Sequence, residues 1–224
     1  MKREREVINK RNVILGLVLI IAYLFFDSVP SFTITINKGL YYPSLIICNI
    51  VVIIIAILCF KEKLKEDLLD IKENKKFYVK FIIKNQFIMY GLYILAAVIS
   101  VLILNDDTSS INQQTLLKLP MYVLIFSATI YASIVEELVY RGTIRRFIKN
   151  NIIFIIVSGG VFGLLHTLGE PTLFEALVRG LPYVTVGCYF AYLYVKTENV
   201  ITSIISHFIH NAFALILIFI MSFI

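Results

Sequence analysis

A bilayer core admits only segments that satisfy their own backbone polar groups, and a helix needs about 20 apolar residues to cross it. This chain of 224 residues repeats that pattern along its whole length. Apolar runs cover Val13–Val29, Leu40–Phe60, Phe81–Leu104, Pro120–Tyr140, Ile152–Leu168, Phe174–Val195 and Val200–Phe223. The expectation is an all-α, polytopic membrane helix bundle of about seven transmembrane helices, with six to eight as its range. Gly180 and Pro182 are positioned to divide the sixth run into two shorter helices. Hydrophobic residues make up 59% and charged residues 16% of the chain, whereas soluble domains carry about 25% charge. An ordinary globular enzyme, a disordered chain and a disulfide scaffold are excluded.

The net charge of +6 is an orientation signal. Lys2, Arg3, Arg5, Lys10 and Arg11 precede the first run, seven lysines lie between 61 and 80, and Arg141, Arg145, Arg146 and Lys149 follow the fourth. The connections 27–39 and 105–118, with Asp27 and Asp106–Asp107, are sparsely charged. Basic loops face the cytoplasm, so the N-terminus is expected inside and the C-terminus outside. This pattern points to the lipid bilayer as the partner of the basic groups, not nucleic acid. The first run follows a basic segment as in a signal peptide, but no small-residue cleavage pattern follows it, so it reads as a retained anchor. Cys48, Cys59 and Cys188 sit in apolar runs without metal-ligand spacing and read as small hydrophobes. Lys61–Lys76 suits an amphipathic helix on the inner surface, or a solvated connector with no further role.

Ionisable groups inside spans are costly, and their presence marks function. Here they are Glu136, Glu137, His166, His207 and His210, joined by Asn211. If Asn150–Asn151 turns a helical hairpin, Glu136 and His166 lie on opposite arms at matching depth. His207 and Asn211, four apart, share a helix face. Glu137 precedes Arg141 by four, the favoured spacing for an intrahelical pair, which leaves Glu136 freer to act. Gly159, Gly160 and Gly163 suit close helix approach, bringing His166 toward Glu136. Arg179 is placed to pair with Glu175 or to snorkel, and His210 to pack or to bond a neighbouring helix.

A carboxylate and a histidine can hold a water and take its proton during attack on a carbonyl. A second histidine and a carboxamide can donate to the resulting oxyanion. Alternatively, Glu136, His166 and His207 make a His₂Glu zinc set with an open fourth position. Asn211 is a poor zinc ligand, which favours the metal-free version; zinc remains the only cofactor considered.

These residues also form motifs. EELVYRG (Glu136 to Gly142), FGLLH (Phe162 to His166) and HFIHN (His207 to Asn211) resemble, in order and spacing, the three motifs of the CAAX-protease and bacteriocin-processing (Abi) family. The resemblance covers about residues 118–215. It implies an intramembrane endopeptidase in which Glu136 and His166 activate water, His207 and Asn211 stabilise the oxyanion, and Glu137 and Arg141 support them. It also implies a membrane-associated peptide or protein substrate, with bacteriocin processing or immunity, signal-peptide maturation and CAAX-type cleavage as the candidate settings. Family members are commonly called metalloproteases. The Ile-, Asn- and Lys-rich usage suits an AT-rich bacterial coding sequence, so a bacterial cell membrane is the expected location and a prenylated substrate is disfavoured. The expected organisation is 1–115 as N-terminal helices and 116–224 as the catalytic membrane domain. The alternative is a non-catalytic immunity or partner-binding protein that retains the motifs. A proton-coupled transporter finds no support in repeats or paired broken helices.

Overall fold

The computed structural model describes residues 10–106 and 109–221. Lys2, Arg3, Arg5, Asp107 and the final residues of the seventh run lie outside the described residues. Within them the architecture is all-α. Nine helices follow one another: α1 (Lys10–Ile36), α2 (Tyr41–Cys59), α3 (Lys61–Glu73), α4 (Lys75–Leu104), α5 (Ile111–Leu116), α6 (Met121–Phe147), α7 (Asn151–Leu165), α8 (Leu173–Thr197) and α9 (Val200–Met221). A single 3-10 turn, Lys38–Leu40, joins α1 to α2.

Five of these helices, α1, α2, α4, α6 and α9, are long and apolar enough to cross a membrane. The other two expected spans are α7 and α8. At 15 residues, α7 reaches only about 22 Å, too short to cross, and it ends where His166 meets α6. Its start is set by Asn150, whose side chain accepts from the N–H groups of Ile152 and Ile153. By contrast, α8 is 25 residues long but carries Glu175, Arg179 and Lys196.

The division of α8 at Gly180 and Pro182 does not occur. Proline removes the N–H that would bond the carbonyl four residues earlier. That carbonyl, Val178 O, instead accepts from Ser100 Oγ of α4 at 2.7 Å. A neighbouring helix supplies the missing donor, so α8 runs on unbroken.

Two more expectations are corrected at one end of the bundle. The first helix extends to Ile36, so Asp27 lies within a span rather than in a loop. Arg179 pairs with Asp106 at 2.9 Å and Glu170 at 3.5 Å, not with Glu175. These contacts tie the turn before α8 to the chain around α5, where the Ile111 N–H donates to Glu170 Oε1.

At the opposite end α3 is more than a solvated connector. Its Asp67 is fully buried and accepts from Val200 N–H, the first donor of α9, at 2.8 Å. Lys63 neutralises that carboxylate at 2.7 Å and donates to Glu198 O. Asn199 donates to Asp67 O, while the Tyr78 hydroxyl donates to Asp70. The start of α9 is therefore capped from another helix.

The glycines bring α7 against α8 rather than toward α6. A Cβ on Gly159 would stand 2.4 Å from Cys188 N, and one on Gly163 would stand 2.6 Å from Val184 N. Around Gly160 nothing lies within 4 Å, so that glycine has no part in the approach. Cys48 and Cys59 are buried and unbonded as small hydrophobes.

Two stability outcomes follow. Ser100→Ala should cost about 1–3 kcal/mol by orphaning Val178 O, and the cost should vanish in Pro182→Ala, where residue 182 regains its own N–H. A double-mutant cycle of thermal unfolding in detergent measures that coupling. In the same assay Gly159→Val should destabilise by about 3 kcal/mol or more, since backbone must move, while Gly160→Ala should be neutral or stabilising.

Candidate active site

The motif helix α6 is irregular on both sides of its paired glutamates. Residues Phe126–Tyr131 and Leu138–Thr143 form π turns, flanking the α-helical segment Ala132–Glu137. A π turn disturbs the i→i−4 ladder and such turns concentrate at functional sites. Side chains from other helices take up carbonyls here: Ser158 Oγ of α7 donates to Tyr140 O at 2.9 Å, and Asn211 Nδ2 of α9 to Ala128 O at 2.7 Å. The two turns thus seat α7 and α9 against α6.

Glu137 and Arg141 are both fully buried and pair at 3.0 Å, the expected intrahelical spacing. Arg141 Nη2 also donates to Gly187 O of α8 at 2.7 Å. Its guanidinium lies 4.9 Å from the Phe162 ring centroid and 5.5 Å from that of Phe190, within cation–π range. The same Glu137 oxygen that meets Arg141 accepts from His207 Nδ1 at 2.8 Å. His207 is stacked on Phe190, with ring centroids 4.8 Å apart. One carboxylate therefore orients both the arginine and the α9 histidine.

Glu136 is arranged differently. It is 9% exposed, and its Oε2 has no hydrogen-bond partner among the described residues. His166 Nε2 stands 3.9 Å away, too far for a direct hydrogen bond. His166 Nδ1 lies 2.7 Å from Phe162 O, and because a carbonyl only accepts, Nδ1 carries the hydrogen and Nε2 of the neutral ring is an acceptor. Two acceptors thus face each other across the gap.

Glu136, His166, His207 and Asn211 all line one cavity of about 520 Å³. His210 lines it too, packed against Tyr90 and Tyr93. The zinc alternative is not assembled: among the described residues no three His, Cys, Asp or Glu side chains are grouped to hold a metal ion. Both Nδ1 atoms are also committed, His166 to a carbonyl and His207 to Glu137.

Sequence reasoning missed Tyr183. Its ring stacks on His166 at 5.1 Å, and its hydroxyl donates to Gln113 Oε1 at 3.1 Å beside Ser110 Oγ. It links His166 to α5 and its N-cap. A tyrosine within an apolar helix carries no signal of this in a single sequence.

Fold and site together define a polytopic helical membrane protein with a carboxylate–histidine centre buried between its helices. Residues 118–213 match the model of the Rce1-like type II CAAX prenyl endopeptidase family. A curated relative, "Uncharacterized protein YyaK" of Bacillus subtilis (strain 168), is 28% identical over 134 residues, 57% of this chain and 44% of YyaK. The chain thus aligns with less than half of that relative's length. No solved structure matches.

The two glutamates should separate in stability measurements. Arg141→Leu removes the arginine partner of a buried carboxylate, leaving it only His207, and should cost about 3–5 kcal/mol. Glu136→Gln touches no internal bond and should leave the unfolding temperature within about 2 °C. Thermal scanning of both purified variants checks this contrast.

Proposed function

We propose that this protein is an intramembrane endopeptidase that hydrolyses a peptide bond of a membrane-associated peptide or protein. The observation that carries this reading is the facing pair of acceptors, Glu136 Oε2 and His166 Nε2, 3.9 Å apart in a cavity wall. Water has two donors, and one molecule at about 2.8 Å from each atom satisfies both. Held so, it presents a lone pair to a substrate carbonyl while Glu136 takes its proton, a general-base step worth roughly 10²–10⁴ in rate. The tetrahedral adduct then collapses with cleavage of the C–N bond as Glu136 returns that proton to the leaving amine.

His207 and Asn211 face the developing oxyanion. Asn211 uses one N–H on Ala128 O and keeps the second for this purpose. His207, whose Nδ1–H serves Glu137, donates from Nε2 as the imidazolium, and the Glu137 carboxylate stabilises that charge. Glu137 and Arg141 are supporting residues, and residues 116–224 act as the catalytic unit on helices supplied by 1–115.

The protein sits in a bacterial cell membrane with its N-terminus inside. The described basic groups support this orientation, because Arg146 donates to Asn12 O and Lys63 to Glu198 O, gathering them at one end. In this reading α8 also crosses, while α7 enters from the inner side and stops at the site. Bacteriocin processing or immunity, signal-peptide maturation and CAAX-type cleavage are the settings that fit.

Comparison of membrane peptides from cells carrying wild-type protein with cells carrying Glu136→Gln or His166→Ala tests the reading. At equal expression, a precursor should accumulate in both variants and its products should fall by at least about 100-fold. Unchanged products in either variant would contradict it.

A further inference from the structure

Apolar α1 carries one carboxylate within its span, Asp27. With Tyr23, Pro30 and Ser31 it forms one face of that helix, and all four line the cavity that holds Glu136. Among the described residues Asp27 makes no hydrogen bond and no ion pair. An unpaired carboxylate inside a membrane helix is costly, and such groups mark substrate paths whose partner arrives from elsewhere.

The character of the wall says what that partner is. Asp27 and Glu136 are its carboxylates, and no lysine or arginine lines it among the described residues. Arg141 is spent on Glu137 and Gly187 behind the wall. Tyr23 and Tyr131 add ring faces to the same cavity. A carboxylate flanked by tyrosines suits a cation.

Helix register locates the cation relative to the chemistry. A Cβ on Gly16 would lie 2.7 Å from Thr143 Cγ2, which sets α1 against α6, and Arg146 bonds Asn12 O further along the same antiparallel pair. Seven residues onward in α1 and seven back in α6 place Tyr23 level with Glu136. Asp27 lies one turn further, about 6 Å. An extended peptide advances about 3.4 Å per residue.

We propose that Asp27 is a specificity-determining residue that seats a lysine or arginine side chain of the substrate about two residues from the bond presented to Glu136. The assignment deepens the peptidase reading and rests on it for which bond is cut; the cation seat itself stands on the cavity.

The test uses the full chain in lipid nanodiscs and apolar peptides, blocked at both termini, that differ only in one central Lys, Gln or Glu. Binding is measured on the Glu136→Gln protein to prevent turnover. The Lys peptide should bind about 10-fold more tightly than the Gln peptide, as expected when an opposite charge replaces a neutral group beside a carboxylate. Adding Asp27→Asn should reduce that ratio to within about twofold, Asp27→Glu should preserve it, and Asp27→Lys should favour the Glu peptide. Since Asp27 has no internal bond, the unfolding temperature of Asp27→Asn should match that of its parent. Equal or absent binding of the Lys and Gln peptides, or a preference untouched by Asp27→Asn, overturns the assignment. Cleavage with Glu136 intact separates the two claims. Glu136-dependent cleavage without charge preference retains the peptidase and removes the Asp27 seat. Asp27-dependent binding without cleavage retains the seat and removes the peptidase reading.

Discussion

A guanidinium does not give up its proton inside a protein, so a fully buried arginine must be surrounded by groups that accept it. Arg141 sets that requirement here. Its partners come from three helices: Glu137 on its own α6, the Gly187 carbonyl of α8, and the Phe162 ring of α7. Through Glu137 the arrangement reaches His207 on α9. Four helices therefore converge on one charge, and leaving any partner out strands a buried polar group. Close approach of α7 and α8 at Gly159 and Gly163 makes room for this convergence.

Satisfying Arg141 with Glu137 is what leaves Glu136 available. The two carboxylates are adjacent in sequence yet differ in duty: Glu137 accepts at Oε1 from Arg141 and His207, while Glu136 makes no hydrogen bond among the described residues and lines a cavity. The helix that carries them departs from α geometry on either side. Those π turns are where α7 and α9 dock, through Ser158 and Asn211. Local irregularity and site assembly are thus the same feature of α6.

Much of the centre was legible in the sequence because its strongest relations are local. The Glu137–Arg141 pair and the shared face of His207 and Asn211 follow from spacings of four. The meeting of Glu136 and His166 follows from nearly equal distances to the Asn150 turn. What escaped depends on contacts remote in sequence. Pro182 reads as a break until Ser100, on α4, is seen to bond Val178 O. Asp67 reads as one charge among many on a soluble-looking helix, although it caps α9 across more than 130 residues. Asp27 reads as a loop marker because a charge near Pro30 imitates the end of a span, yet the apolar residues through Ile36 continue the helix. The short reach of α7 was hidden by apolar residues that pass its end at His166.

In the proposed reaction Glu136 and His166 deliver water to a peptide bond. The most direct measurement incubates the purified protein, in bilayers and oxygen-18-labelled water, with a precursor that accumulates in Glu136→Gln cells. The wild-type protein should release a product whose new carboxylate carries one labelled oxygen, and the Glu136→Gln protein should release none. Cleavage that persists in Glu136→Gln, or a wild-type protein that leaves the precursor intact, would contradict the account.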